Sequence, residues 1–341
     1  MIYQNDFPMS MKADMAVAFE EGRIPVANQE WRQLIEIVPT TASAKKEVFY
    51  GDAIDMRRFR SERQPHSFFE YCQTITLDDW ELTRVVKRTV LDDDQSGGYL
   101  RNKVKEFGNQ VDVSRQRKAE EFLRRGTSYK CFDTNQFFSI NHVYTDCKGV
   151  SHGPTAPQVN FHIGGSQLDA TTLQLMNSHF SHLLSDRSHP LGMKLTHVGV
   201  RRGTINHKNA MEMANSQYTV EIYTAKGSLA NNVFKGAFDI IPFDYGIGDS
   251  EWYAFDLSQA GRKPIKVLSH SISPGFDNLE YTQLLEDSDT GFWRNEFAFG
   301  VWGRWDFNPG DWRTAYLNGT TTWTDPDDED FERRRELMPN A

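Results

Sequence analysis

The chain has 341 residues, with 38 Lys and Arg against 47 Asp and Glu, giving a formal charge of 38 − 47 = −9. That length gives room for about two domains or one large one and excludes a miniprotein framework. Hydrophobic residues make up 38% of the chain, and no stretch approaches the roughly 18 apolar residues that would span a bilayer, so a membrane-spanning helix is excluded. Met1 to Ser10 lacks a basic segment followed by an apolar run, so no secretory signal is expected and cytoplasmic residence is the default. Cys72, Cys131 and Cys147 form no CxxC pair and are odd in number, from which neither disulfides nor metal bonds are expected. Aromatic residues reach 13%, with eight Trp and 23 Phe. That much flat apolar area must be covered by a core or by partner subunits.

Met11, Met15 and Phe19, then Trp31, Leu34, Ile35 and Val38 before Pro39, predict two short amphipathic helices with a break at Gly22 and Pro25. Neither has an obvious core partner nearby in sequence. Val48 to Tyr50 reads as strand, and Phe69, Tyr71, Ile75 and Leu77 fall on one strand face. Between these two runs lies a polar loop carrying Arg57, Arg58, Arg60 and Arg63, read as the end of a long, solvent-projecting hairpin. A long helix is predicted from about Tyr99 to Arg125, with Leu100, Val104, Phe107 and Val111 as its apolar stripe and Arg115 and Arg117 off it. Asp92–Asp94 before it and Arg124 and Arg125 at its end match the helix dipole, and Gly126 is read as its stop.

Asp146 to Ser166 reads as loop. A second helix is predicted after Asp169 as N-cap, through Leu173, Met176, Phe180 and Leu184. A compact α/β unit follows: strands at Leu195–Val200, Val233–Phe243 and Trp252–Leu257, and a helix at Asn206–Gln217. From Phe297 to Phe307 most apolar residues take odd positions, as in a long strand with one buried face. The acidic stretch Asp325–Asp330 lies in a charged tail that composition marks as disordered.

The sequence offers little for chemistry. His179 and His182 at helical spacing, with His162 and His189 nearby, have the imidazoles of a metal site but no HExxH and no cysteine partner. Gly164-Gly165-Ser166 lacks the phosphate-binding GxxxxGK[ST] pattern. Ser151-His152-Gly153, and Cys131 with His142, lack a nucleophile elbow. Neither a catalytic residue, a metal ligand nor a cofactor is assigned. The four arginines suit carboxylates of a neighbouring protein better than nucleic acid, given the overall charge of −9.

Collinear short stretches resemble the Mu-like phage major head protein (gpT-like) family. They are Trp31–Pro39 (WRQLIEIVP), Phe49–Gly51 (FYG), Thr76–Thr83 (TLDDWELT), Asp92–Gly98 (DDDQSGG), Cys131–His142 (CFDTNQFFSINH), Trp252–Ser258 (WYAFDLS), Arg262–Ile265 (RKPI) and Phe297–Gly303 (FAFGVWG). The segment 149–168 and the acidic tail have no counterpart in that pattern. The resemblance implies an α+β chain with the tailed-phage, Hong Kong 97-like capsid fold. Its parts would be an N-terminal arm at 1–45, an extended hairpin (E-loop) at 46–83, a P-domain with a long spine helix at 84–190 and 276–324, an A-domain at 191–275, and a tail at 325–341. It implies a major capsid protein and no enzyme. Assembled in the host cytoplasm into pentamers and hexamers, such a protein forms the virion shell around phage DNA, which it meets by non-specific proximity. Portal, scaffold or decoration proteins are further partners, and no membrane is involved. The E-loop residues Arg57, Arg58, Arg60 and Arg63 would make inter-subunit contacts. The competing reading is an α+β enzyme or ligand-binding protein using its clustered histidines; a small oligomer in solution would mark the enzyme, and shells or capsomers the capsid protein.

Overall fold

The computed structural model describes residues 7–51, 58, 59, 63, 68–89, 98–220, 229–245, 247–259, 261–284 and 293–319. Arg57, Arg60, the Asp92–Asp94 cluster and the acidic tail lie outside the described residues. Two helices and a sheet form one half of the molecule. Helix α1 is Phe7–Gly22 and helix α2 is the predicted long helix, Tyr99–Arg124. The apolar stripe Leu100, Val104, Phe107 and Val111 is buried against Met15, Ala18 and Phe19 of α1 and against Phe299 and Val301. Arg101 pairs with Asp14 and Glu21 at 3.3 and 3.0 Å along the same seam. The two helices cross closely at Gly22 and Gly108, where a Cβ on either would strike the other's backbone at Lys105 and Phe19. The N-terminal segment therefore has a core partner in its own chain, more than 80 residues away. Arg115, expected off the stripe, is its next member and is 2% exposed. Gly126 follows α2 without a left-handed φ; the Phe138 ring packed against it leaves no room for a side chain.

The strands are β1 Ile35–Thr40, β2 Ala44–Tyr50, β3 Glu70–Thr76, β4 Asp78–Lys87, β5 Tyr144–Thr145, β6 Ser151–His152, β7 Phe161–Ile163, β8 His197–Arg201, β9 Tyr218–Val220, β10 Leu229–Asn231, β11 Asp239–Phe243, β12 Trp252–Phe255, β13 Ile265–His270, β14 Glu280–Leu284, β15 Glu296–Pro309 and β16 Ala315–Gly319. The first five-stranded sheet runs β1-β13-β15-β14, with β4 also along β15. Strand β15 alternates as its sequence predicts, burying Phe297, Phe299, Val301 and Trp305. Phe107 of α2 meets Phe299 edge-on at 5.1 Å, which fixes helix on sheet. The helix predicted across Trp31–Val38 is instead a short 3-10 turn, Glu30–Leu34, followed by β1. Trp31, Leu34, Ile35 and Val38 are all buried, so an apolar spacing that fits a helix is met by a turn plus a strand. Pro39 is tolerated because β1 is an edge strand, parallel to β13.

The second five-stranded sheet runs β11-β8-β12-β16-β7. Segment Asp146–Ser166, read as loop, contributes β6 and the edge strand β7. Helix α3, Ala170–His182, starts at the predicted cap: Asp169 accepts from the Thr172 backbone N–H at 2.7 Å, and the Thr172 hydroxyl accepts from the Asp169 N–H at 2.9 Å. Helix α4 is Ile205–Asn215. Of the strand expected at Val233–Phe243 only Asp239–Phe243 forms, because the chain turns before it. Trp252, Tyr253, Phe255 and Trp312 lie at the centre of the main core.

Candidate assembly surfaces

Strands β2 and β3 pair antiparallel from Ala44↔Thr76 to Tyr50↔Glu70. Alternation splits the hairpin into two faces. Tyr71, Gln73 and Ile75 turn inward and are buried, whereas Val48 and Tyr50 point outward. The inward face is fastened to the body by unlike contacts. Phe49 stacks on Phe132 at 4.8 Å and lies under the Lys266 ammonium at 4.0 Å, and Lys266 bonds Glu47 at 2.7 Å. The Tyr71 hydroxyl donates to Asp186 at 2.9 Å, and burial together with that carboxylate pushes the phenol above its ordinary range. The Gln73 amide donates to the Pro309 carbonyl at 3.1 Å.

Cys72 and Cys147 are joined by a disulfide, with Cα atoms 5.3 Å apart. This overturns the expectation of three unpaired thiols. An odd total says only that at least one cysteine is unpaired, and Cys131, free and buried, is that one. The Cys147 N–H donates to the Glu70 carbonyl at 2.9 Å, so the loop before β6 is registered on the stem as well as bonded to it. In that loop Asp146 accepts from His152 at 2.9 Å and from the Val150 N–H. His152 first and the backbone donors second bring its carboxyl down to about 2. His152 stacks on Phe69 at 3.8 Å, and the Arg187 guanidinium lies 4.7 Å from that ring.

Beyond this clasp the described residues of the hairpin face solvent. Tyr50 is 65%, Phe68 56% and Phe59 70% exposed, and Arg58 and Arg63 are exposed too. The reading of a solvent-projecting hairpin therefore holds for the described residues beyond the clasp and not for the stem. Sequence reasoning missed the clasp because its partners come from positions 132, 147, 186, 266 and 309.

The residues weighed for chemistry are spent on structure. His162 contacts the Asn318 side chain at 3.3 Å, His182 bonds the Ser178 carbonyl at 2.6 Å, and His179 lies edge-on to Tyr316 at 4.6 Å. Burial is the main reason, with His182 a lesser one, that His179 sits low, at about 4. Among the described residues no group of three or more His, Cys, Asp or Glu is placed to hold a metal. The Gly164 and Ser166 N–H groups are taken by the Gly319 carbonyl and the Asn318 side chain, which leaves no phosphate cradle there. His142 is buried between Asp133 at 2.6 Å and Asn160 at 3.0 Å, flat against Trp312. The Asn160 amide donates to the Phe137 carbonyl at 2.7 Å and its oxygen accepts from the Ser139 N–H at 2.8 Å. Its orientation is thereby fixed and His142 Nε2 must donate to it. Burial holds the Cys131 thiol well above its ordinary range, the state of an inert rather than a nucleophilic sulfur.

Residues 9–162 match the family described as Mu-like prophage major head subunit gpT. The structure is similar to a chain of the procapsid of bacteriophage JBD30, at 17% identity and a TM-score of 0.50 over 98% of this chain and 81% of that one. It is similar also to a chain of the capsid of Cyanophage P-SCSP1u, at 6% identity and a TM-score of 0.50 over 88% and 89%. At such identities the likeness is one of fold. No curated protein matches the chain. Residues 9–162 are thus similar to the Mu-like gpT major head subunits, and the chain as a whole shares the mixed helix-and-sheet fold of these phage capsid chains.

Proposed function

We propose that the chain closes an icosahedral shell around phage DNA as pentamers and hexamers, and that the hairpin is the part laid over the neighbouring subunit. In this reading β2, β3 and the residues between them form the E-loop, α2 is the spine of a P-domain, and β8, β11 and β12 with α4 belong to an A-domain. Assembly proceeds in the host cytoplasm, where portal, scaffold or decoration proteins join the same shell. One observation supports the hairpin's role above others: its stem is clasped by a disulfide and a buried tyrosine–carboxylate bond, while Tyr50, Phe59, Phe68, Arg58 and Arg63 beyond the clasp are exposed. A rigid base under an exposed aromatic and basic end places that end for a partner's surface without a large ordering cost. Four arginines, Arg57, Arg58, Arg60 and Arg63, then pair with carboxylates of the next copy. Exposed pairs contribute about 0 to 1 kcal/mol each, so a single substitution is tolerated.

The test replaces all four arginines with glutamate. The expected result is a chain that keeps its circular dichroism but sediments as unassembled subunits, through like-charge repulsion repeated at every contact. Normal assembly of that variant at low salt would remove the electrostatic role and leave the arginines as solvation of an exposed loop.

A further inference from the structure

The apolar stripe of α2 continues onto Arg115, whose charged end is enclosed. Its Nη1 donates to Asp112 Oδ1 at 3.2 Å, and its Cζ lies 5.0 Å from the centre of the Phe276 ring. Its Nε and Nη2 are buried and meet no hydrogen-bond acceptor among the described residues. Those two N–H groups share one edge of the guanidinium, the edge that grips an anion with two parallel bonds. Other donors crowd the same ring. Arg32 has its Cζ 5.1 Å from Phe276, with Nη1 on Asp277 at 2.7 Å and Nε on Gln29 at 2.6 Å, while its Nη2 is buried without an acceptor. Trp31 meets Phe276 edge-on at 6.3 Å, and its indole N–H is buried without an acceptor as well. Arg23 completes the cluster by bonding Asp112 at 3.2 and 3.4 Å.

Two features define what the cluster could bind. Every unpartnered polar atom named here is a donor, so the guest must accept from all sides. The buried charge is also uneven: Arg23 and Arg115 share the buried Asp112, whereas the further carboxylates on Arg23 and Arg32, Glu20 at 3.9 Å and Asp277 at 2.7 Å, are 67% and 52% exposed. The Phe276 ring attracts cations but offers no lone pair in the plane of either guanidinium, and it is shared between two of them. Burial and the nearby Arg23 bring Arg115 down to about 10, the sign of a cation short of compensation.

We propose that the Arg115 edge, with Arg32 Nη2 and the Trp31 indole N–H nearby, binds one small inorganic anion of halide size. Such an ion supplies acceptor capacity and negative charge at the buried end together, whereas a water supplies only the first. A bulkier oxyanion or a partner's carboxylate would have to open a region where these nitrogens see no solvent. The ion would pin the segment after α1, the turn before β1 and the loop before β14 onto α2.

The test uses the full chain crystallised from sodium bromide, with diffraction data at the bromine absorption edge. The expected result is an anomalous peak within about 3.5 Å of Arg115 Nε and Nη2, the reach of a charged hydrogen bond to a large anion. A normal water with no anomalous signal at that position, or bromide at the surface only, would overturn the proposal. In parallel, the melting temperature is followed as chloride replaces gluconate at constant ionic strength. The wild-type midpoint should rise and saturate, and Arg115→Met should lose that dependence. A wild-type midpoint indifferent to the exchange would also count against the site. Should Arg115→Met fail to fold, the wild-type bromide map decides.

Discussion

Helix α1 and the β2–β3 hairpin are both N-terminal, and both pack on parts of the chain distant in sequence. They attach to the body in opposite ways. Helix α1 is taken into a core by Met15, Ala18 and Phe19 against α2, a seam tight enough to need glycine on both helices. The hairpin is pinned at separate points by a disulfide, a buried tyrosine–carboxylate bond, a lysine–glutamate pair and stacked rings. Apolar burial is distributed and fails only as a whole, whereas a set of clasps can be opened one at a time. The proposed shell-forming role would call for that kind of division: a subunit that stays folded while one element is laid over a neighbour.

The largest effect should come from the helix seam. Phe19 is buried, stacks on Tyr281 at 4.8 Å and touches Phe107. Phe19→Ala is expected to cost about 3–5 kcal/mol, read as a lower denaturant midpoint, with protection from hydrogen exchange lost along both α1 and α2. If only α1 lost protection, the helix would be an appended arm and the contrast with the hairpin would collapse.

Opening the disulfide should come next. Cys72→Ser, or reduction of the native chain, is expected to remove about 2–4 kcal/mol by freeing the 75-residue separation in the unfolded state. Exchange should speed up in β2, β3 and the 146–150 loop while α1 stays protected. A uniform loss over the whole molecule would mean that the clasp is not local. Lys266→Met should then cost about 1–3 kcal/mol, because it leaves Glu47 without its 2.7 Å partner in a half-buried position. Its signature is faster exchange on the Phe49 side of the stem.

The smallest effect is a pH dependence outside both elements. Unfolded His179 protonates around 6.5, but the folded chain holds it at about 4. Between those values the unfolded state binds more protons, so stability is complete above about pH 6.5 and falls as the pH drops toward 4. His179→Phe should flatten that part of the stability profile. Asp146, in the loop bonded to the stem and held at about 2, loses its contribution only below the ordinary carboxylate range, between about 3.8 and 2. The two sites therefore separate on the pH axis, and a variant that shifted both windows would contradict the assignment.

Periodicity was the most legible feature of the sequence. The α2 stripe, the Asp169 cap and the odd-position burial of β15 each follow from a local rule that the tertiary structure happens to reinforce. Where local rules conflicted, packing decided. Arg115 sits on the stripe by spacing and off it by charge, and the spacing prevailed at the price of unmatched donors. Trp31 to Val38 fits a helix by spacing, yet β13 offers a parallel edge that only a strand can use. The hairpin clasp was not legible, since nothing in the neighbourhood of Cys72, Tyr71 or Glu47 points to positions 147, 186 or 266. A parity count of cysteines speaks about the set and not about any pair.

Electron microscopy of the purified protein is the sharpest test of the proposed shell-forming role. Closed particles or sheets are expected, with class averages that resolve rings of five and six subunits and the hairpin of each lying on the next. A homogeneous small monomer or dimer at high protein concentration, still unassembled at low salt, would contradict it.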